Sequence, residues 1–77
     1  MANLLKAVKT QVRQYARETT VNTFICDMWN VCNNAGYYAD DPKETKKFWL
    51  TFTLDCIDGK DYQFICSIAN LINSKIK

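Results

Sequence analysis

Histidine is absent from this chain of 77 residues, which also holds only two glycines and one proline. Histidine is the side chain most often used as a general base near neutral pH, so its absence weighs against acid–base catalysis. Gly36 and Gly59 are isolated from each other, and no glycine-rich loop is present to cradle a phosphate. Ser67 and Ser74 lie outside any nucleophile-elbow sequence. We therefore expect a protein that is not an enzyme and needs no cofactor.

Long apolar runs are also missing. No stretch approaches the roughly 18 residues of a membrane span, and the first residues lack the apolar segment of a secretory signal. We therefore expect a cytoplasmic protein that does not enter a membrane.

Four cysteines then have to be explained: Cys26, Cys32, Cys56 and Cys66. In a cytoplasmic protein we expect free thiols that mostly lie in the core. Two disulfides or a metal site are the alternatives, but the cysteine spacings match no zinc pattern. Cys26 and Cys66 fall on the polar sides of their predicted helices, so we expect these two thiols to react first.

The residues that are present describe an ordinary globular protein, with 48% hydrophobic and 23% charged residues. The length is sufficient for one compact domain over residues 1–77. Ten aromatic side chains are more than a core of this size hides comfortably. We therefore expect some aromatic rings to face a partner.

The first helix is predicted from apolar residues at spacings of three and four. They begin at Leu4 and end at Ala16, and at 100° per residue they fall within an arc of about 120°. Asn3 can serve as the N-cap of this helix, which we place over residues 4–18.

A second apolar arc, over residues 24–35, points roughly 160° away from the first, which is more than helical drift can produce. This favours a break near Thr20, with Thr20 or Asn22 as the N-cap of a second helix. One continuous helix that supplies two interfaces is the alternative. Gly36 provides a natural end.

The strongest local signal in the chain begins at Asp41. It combines an N-cap residue, Pro42 at the first helical position and Glu44 two residues later. Apolar residues cover nearly everything beyond a thin polar stripe, up to Gly59. The pattern predicts a third helix that is buried on most sides.

A β-hairpin competes with this third helix. Every second residue from Phe48 to Cys56 is apolar, and Asp58-Gly59 is a favourable hairpin turn. The alternative fold is therefore α+β, with strands over residues 47–56 and 61–66 between the N-terminal helices and a C-terminal helix.

The last segment favours the helical prediction. From Gln63 to Ile76 the apolar residues share one arc, and amide and hydroxyl side chains share the other. A helix that already fits from Gln63 leaves little room for a second strand. We therefore predict an all-α fold, a small single-domain bundle of about four helices.

Charge is uneven along the chain. Residues 1–17 hold four bases and no acid, whereas residues 18–45 hold five acids against one base. The N-terminal bases lie within about 80° on the predicted helix and form the basic stripe: Lys6, Lys9, Arg13 and Arg17. Such a stripe can contact phosphates or an acidic protein surface, or can simply keep the helix soluble. The net charge of +2 is low for a nucleic-acid-binding domain.

A mixed aromatic and acidic surface is predicted between the second and third helices. Tyr37 and Tyr38 lie where side chains are commonly exposed, and tyrosine and tryptophan often anchor interfaces. The alternative is that both rings cover the core with their hydroxyls in water. The predicted partner-binding residues are Tyr37, Tyr38, Asp40, Asp41, Glu44 and Trp49.

These features favour a non-enzymatic protein-interaction module, a small inhibitor, adaptor or accessory factor that binds a larger protein. Domains of this size without a catalytic set are typical of phage and mobile-element accessory factors. A small nucleic-acid-binding regulator that uses the basic stripe is the alternative, and a virion or assembly component is the third. Homo-oligomer formation would supplement a core this small.

Overall fold

Four α-helices make up the fold within the described span. The computed structural model describes residues 2–75, and for side chains residues 3–75. The helices are α1 (Ala2–Glu18), α2 (Val21–Asn34), α3 (Lys46–Asp58) and α4 (Tyr62–Lys75). No strand occurs in this span, so the all-α prediction is confirmed and the hairpin over 47–56 and 61–66 is wrong. The predicted core residue Ile76 lies outside the described residues.

The third segment is helical because its most buried residues repeat with a helical period. Trp49, Thr53 and Ile57 are buried at successive spacings of four, which places them on one face of a helix. The alternating apolar residues that suggested a strand, such as Phe48 and Phe52, lie half-buried on the flanks of that face. The helix is therefore less enclosed than the sequence predicts.

The predicted break between the first two helices is confirmed. The α1 helix ends at Glu18, and the Thr20 Oγ1 caps α2 by accepting a hydrogen bond from the Thr23 N–H at 3.2 Å. The predicted N-cap at Asn3 is wrong, because α1 already includes Ala2.

The start of α3 also differs from the prediction. Thr45 is the N-cap, and its Oγ1 accepts a hydrogen bond from the Phe48 N–H at 3.1 Å. Asp41 and Pro42 precede the helix and belong to the loop. Thr45 can take the capping role because its hydroxyl reaches a free N–H group in the first turn of α3. The Nζ of Lys46 donates to the Thr19 carbonyl and ties this helix start to the α1–α2 junction.

The end of α2 follows the prediction at Gly36. Its φ of 90° is in the left-handed region, which glycine enters without a steric penalty. The Tyr37 N–H donates to the Cys32 carbonyl at 2.9 Å, and the Gly36 N–H donates to the Asn33 carbonyl at 3.0 Å. This is the Schellman pattern of a helix end.

At the end of α3 the left-handed residue is a lysine, and not a glycine as at the end of α2. Gly59 has an ordinary φ of −68°, and Lys60 takes the left-handed conformation with φ 63°. The Lys60 N–H donates to the Ile57 carbonyl at 3.0 Å. A lysine therefore occupies the position that favours glycine.

The buried side chains form one cluster to which all four helices contribute. The α1 helix packs on both α3 and α4, while α2 packs mainly on α3. The shortest dimension is 18 Å, about the thickness of two helix layers. None of the described helices is long and apolar enough to cross a membrane.

All four thiols are free. Cys32 is buried 3.8 Å from the Thr53 Oγ1, and burial raises its pKa to about 12. Cys56 is half-buried, and burial raises its pKa as well. Cys26 and Cys66 are exposed, in agreement with their predicted positions on the polar sides of helices.

Candidate functional site

Tyr37 closes the core instead of facing a partner. Its ring centroid lies 4.8 Å from that of Phe64, and its hydroxyl donates to the Asp61 Oδ2 at 2.9 Å. The hydrogen bond to this carboxylate raises the pKa of Tyr37. Tyr37 therefore joins the loop to the start of α4, as in the alternative in which the ring covers the core.

Tyr38 has the opposite placement. It is 71% exposed, the largest exposed fraction among the large apolar and aromatic side chains of the described residues. Asp40 and Asp41, later in the same loop, are also exposed. These three residues remain available to a partner.

Trp49 belongs to the core. It is only 2% exposed, and its ring packs edge-on against Phe48 and Phe52 at centroid distances of 5.2 and 5.4 Å. Such a side chain cannot anchor an interface without opening the bundle. The structure therefore removes Trp49 from the predicted set of exposed anchors.

A groove along α2 brings Glu44, one of the predicted partner-binding residues, together with Trp29, which the sequence does not single out. Two adjoining cavities of about 290 and 260 Å3 share Ile25, Cys26 and Glu44. Trp29 stands in the wall of the larger cavity and is 48% exposed. We call this feature the α2 groove, and its lining residues are Asn22, Ile25, Cys26, Trp29, Pro42, Lys43, Glu44 and Trp49.

The groove follows from the geometry of α2 and from the late start of α3. Met28 points into the core, and Trp29 follows it about 100° further around the helix, which places the indole at the edge of the buried face. The loop residues Pro42, Lys43 and Glu44 form the opposite wall because α3 begins only after them.

Charge is distributed unevenly along the groove. Glu44 lines both cavities, whereas Lys43 lines only the one that contains Trp29. In the half that begins at Asn22, Glu44 is the only charged lining residue. Lys47 lies about 160° around α3 from Trp49 and faces away from the groove.

The sequence does not single out Trp29, because periodicity assigns only the core-facing arc and the polar side of α2. Ile25, Trp29 and Cys26 lie about 60°, 100° and 160° around the helix from Met28. A side chain this large, so far from the core direction, signals an apolar flank that the core of one small domain does not cover.

The basic stripe is mostly free on the surface. Lys6, Arg13 and Arg17 are exposed, while Lys9 is partly buried and forms an ion pair with Asp58. That pair is the only ion pair within residues 2–75. The stripe therefore retains three solvent-facing cations.

A smaller apolar cavity of about 80 Å3 lies between the amino ends of α1 and α4. Leu4, Leu5, Ile65 and Lys60 line it together with Tyr62, which is 54% exposed. It shares no residue with the α2 groove, so Tyr62 offers an exposed aromatic side chain for comparison with Trp29.

No protein-family model matches this chain, and no curated protein or solved structure matches it either. Among the described residues no three potential metal ligands cluster. The α2 groove combines an exposed indole, an apolar wall and a carboxylate, a combination suited to binding a partially apolar surface.

Proposed function

We propose that this chain is a non-enzymatic protein-interaction module of the cytoplasm. It acts as a small inhibitor, adaptor or accessory factor, of the phage or mobile-element type, by binding a larger protein through the α2 groove. Tyr38, Asp40 and Asp41 extend the contact along the adjoining loop.

The half-exposed Trp29 is the observation that carries this proposal. Covering the exposed half of an indole of up to about 250 Å2 would contribute about 2 to 3 kcal/mol at 25 cal/mol per Å2. Tryptophan is among the side chains most enriched at the energetic centres of protein interfaces. A partner that covers the groove would also bury Ile25, which is half-buried in the isolated chain.

The charge of the groove favours a protein over a nucleic acid. Glu44 lines both of its cavities and Lys43 only one of them, so the unbalanced carboxylate at the Asn22 end repels phosphates. The exposed Lys6, Arg13 and Arg17 support the alternative, a nucleic-acid-binding regulator, on a different surface. In that case the logarithm of the association constant would fall linearly with the logarithm of the salt concentration, with a slope of about −0.9 for each phosphate contacted.

Affinity capture from a lysate of the native host separates the two. The immobilised baits are the natural chain, a Trp29→Ala variant and a Tyr62→Ala variant, each with and without nuclease. Tyr62 is a matched control because it is also an exposed aromatic residue but lies outside the groove.

The proposal predicts a large protein that survives nuclease treatment, is retained by the Tyr62→Ala bait and is lost from the Trp29→Ala bait. Equal retention by all three baits would remove the groove from the proposal. Loss of all captured material on nuclease treatment would favour the regulator, and replacing Lys6, Arg13 and Arg17 by glutamine should then abolish binding.

A further inference from the structure

We infer that the α2 groove accepts one amphipathic helix of the partner protein, oriented so that a lysine or arginine of that helix faces Glu44. This inference rests on the proposed function and specifies the kind of segment that occupies the groove. The backbone chemistry of the groove, its length and its charge all favour this occupant.

A helix fits the groove better than an extended segment does. One wall is the outer face of α2, where the backbone N–H and C=O groups already bond within the helix. An extended peptide would lose water from its own N–H and C=O groups there and would find no ladder of partners. A helix brings its backbone groups already paired, which is the basis of helix-in-groove recognition.

The length of the groove fits two helical turns. It runs along α2 from Asn22 to Trp29, which corresponds to about 10 Å at 1.5 Å per residue. A partner helix that lies along it presents apolar side chains at positions i, i+3 or i+4, and i+7.

The charges give the bound helix a direction. At the Asn22 end the lining charge is that of Glu44 alone, and at the Trp29 end Lys43 balances it. The partial positive charge at the amino end of α2 is only about half an elementary charge, so the full charge of Glu44 dominates. We therefore place the cation of the partner toward Asn22 and its large apolar side chains toward Trp29.

A second copy of this chain is a poorer occupant. Symmetric docking of α2 against α2 would bring the two Glu44 carboxylates onto the same interface, where like charges repel. Outside α2, the exposed large apolar or aromatic side chains of the described residues are Tyr38, in a loop, and Tyr62 on α4. The exposed face of α4 from Gln63 to Asn73 carries no base to face Glu44.

Two displayed peptide libraries test the inference. One randomises the exposed face of a stable helical scaffold, and the other is linear and kept extended by alternating prolines. Both are selected against the whole chain, and clones that still bind the Trp29→Ala variant are discarded. We expect clones from the helical library only, enriched in apolar residues at i, i+3 or i+4, and i+7 and in one lysine or arginine.

A charge exchange then tests the predicted contact with one selected peptide. Glu44→Lys should lower the affinity for the peptide about fivefold, the upper end of the range for a solvent-exposed ion pair. Changing the cation of the peptide to glutamate should then restore the affinity. Asp55→Lys is the matched control, because Asp55 is an exposed acid on α3 outside the groove. It should leave the affinity unchanged.

The natural cysteines report where the peptide lies. Cys26 lines the groove and Cys66 is exposed on α4, so bound peptide should slow alkylation of Cys26 by iodoacetamide and leave Cys66 unaffected. Equal protection of both thiols, or of neither, would overturn the placement in the groove.

Four further results would overturn the inference: clones from the extended library only, acidic residues in place of the cation, no Trp29-dependent clones at all, or self-association of the chain that Trp29→Ala abolishes in sedimentation equilibrium. The last result would make a second copy the occupant. If a host protein is still captured in a Trp29-dependent manner, the proposed function survives and only the helical partner segment is wrong.

Discussion

The Tyr15 hydroxyl donates to the Asp27 Oδ2 at 2.5 Å and joins α1 to α2. Tyr15 is 4% exposed and its ring lies 6.0 Å from that of Phe24, whereas Asp27 is half-buried. The two helices pack on each other less extensively than either packs on α3. This hydrogen bond is therefore a main polar connection between them.

Removing the Tyr15 hydroxyl should destabilise the fold. We expect Tyr15→Phe to lower the free energy of unfolding by about 1.5 kcal/mol, the lower end of the range for a hydrogen bond to a charged group. The loss is no larger because the ring still fills its place in the core. Urea unfolding at pH 8, followed by circular dichroism, measures the change. Tyr38→Phe is the control, since Tyr38 is exposed, and it should leave stability unchanged.

The contribution of Tyr15 should disappear at alkaline pH. Burial, followed by the hydrogen bond to Asp27, raises the pKa of Tyr15 above its usual value near 10. A group whose pKa is raised by folding stabilises the protein below the unfolded pKa and loses that contribution as the pH rises. The difference between the natural chain and Tyr15→Phe should therefore shrink above about pH 10, and a constant difference from pH 8 to 11 would contradict this account.

The left-handed backbone conformation of Lys60 should lower the stability of the fold, and a glycine at this position should raise it. Its φ of 63° is easily adopted by glycine, so Lys60→Gly should stabilise the fold by about 1 kcal/mol. This corresponds to a rise in Tm of about 4 to 8 °C for a domain of this size.

Gly36→Ala tests the same preference of left-handed backbone for glycine, with a change in the opposite direction. Open space surrounds Gly36, but its φ of 90° strains any residue with a Cβ, so alanine should lower the Tm. A scanning calorimetry comparison checks both variants. If Lys60→Gly also lowers the Tm, the Lys60 side chain stabilises the fold by more than its backbone conformation costs.

The sequence predicted the elements of the fold better than their ends. A cap at Thr20 or Asn22 and a helix end at Gly36 are predicted because their local chemistry alone favours a cap and a left-handed turn. The predicted start of α3 is wrong because the sequence offers two suitable N-caps, Asp41 before Pro42 and Thr45. The choice between them depends on tertiary contacts, including that of Lys46 with the Thr19 carbonyl.

The candidate site also depends on tertiary contacts that the sequence alone does not predict. Periodicity identifies a core face from the residues of one helix, but it does not show how far neighbouring elements cover its flanks. Trp29 remains half-exposed because the loop at Pro42 stands across a groove from it. Tyr37 and Tyr38 are adjacent, and only the position of Asp61 and Phe64 at the start of α4 determines which ring is held inward.

The four thiols should differ in reactivity. Cys26 and Cys66 are exposed and should be alkylated within minutes at pH 8, while Cys32, with a pKa of about 12, is ionised in only about one molecule in ten thousand. Cys56 should react at an intermediate rate. Mass spectrometry of peptides after timed iodoacetamide treatment measures the order, and finding no free thiol in the denatured, unreduced protein would contradict the free-thiol assignment.

The adjacent tyrosines should respond differently to truncation. Tyr37→Ala removes the contact with Phe64 and the hydrogen bond to Asp61, so it should lower the Tm by several degrees. Tyr38→Ala should leave the Tm unchanged, because that ring is solvent-exposed. Thermal melts of the two single variants check this, and equal Tm values would show that Tyr37 does not support the core.

The two tryptophans should be distinguishable by fluorescence and by stability, because one stands in the wall of the α2 groove and the other lies beneath it. Trp29→Phe leaves only the buried Trp49, so its emission should be blue-shifted and poorly quenched by iodide. Trp49→Phe should leave a red-shifted, readily quenched emission from the half-exposed Trp29.

Truncation of the same two residues should separate binding from folding. Trp49→Ala opens a large cavity in a small core and should cost about 3 to 5 kcal/mol, enough to unfold much of a marginally stable chain. Trp29→Ala should cost about 1 kcal/mol or less, since half of the indole already faces water. Urea unfolding measures both costs. If Trp29→Ala were as destabilising as Trp49→Ala, its loss of binding would report unfolding, and Trp29 would be a core residue instead of an interface anchor.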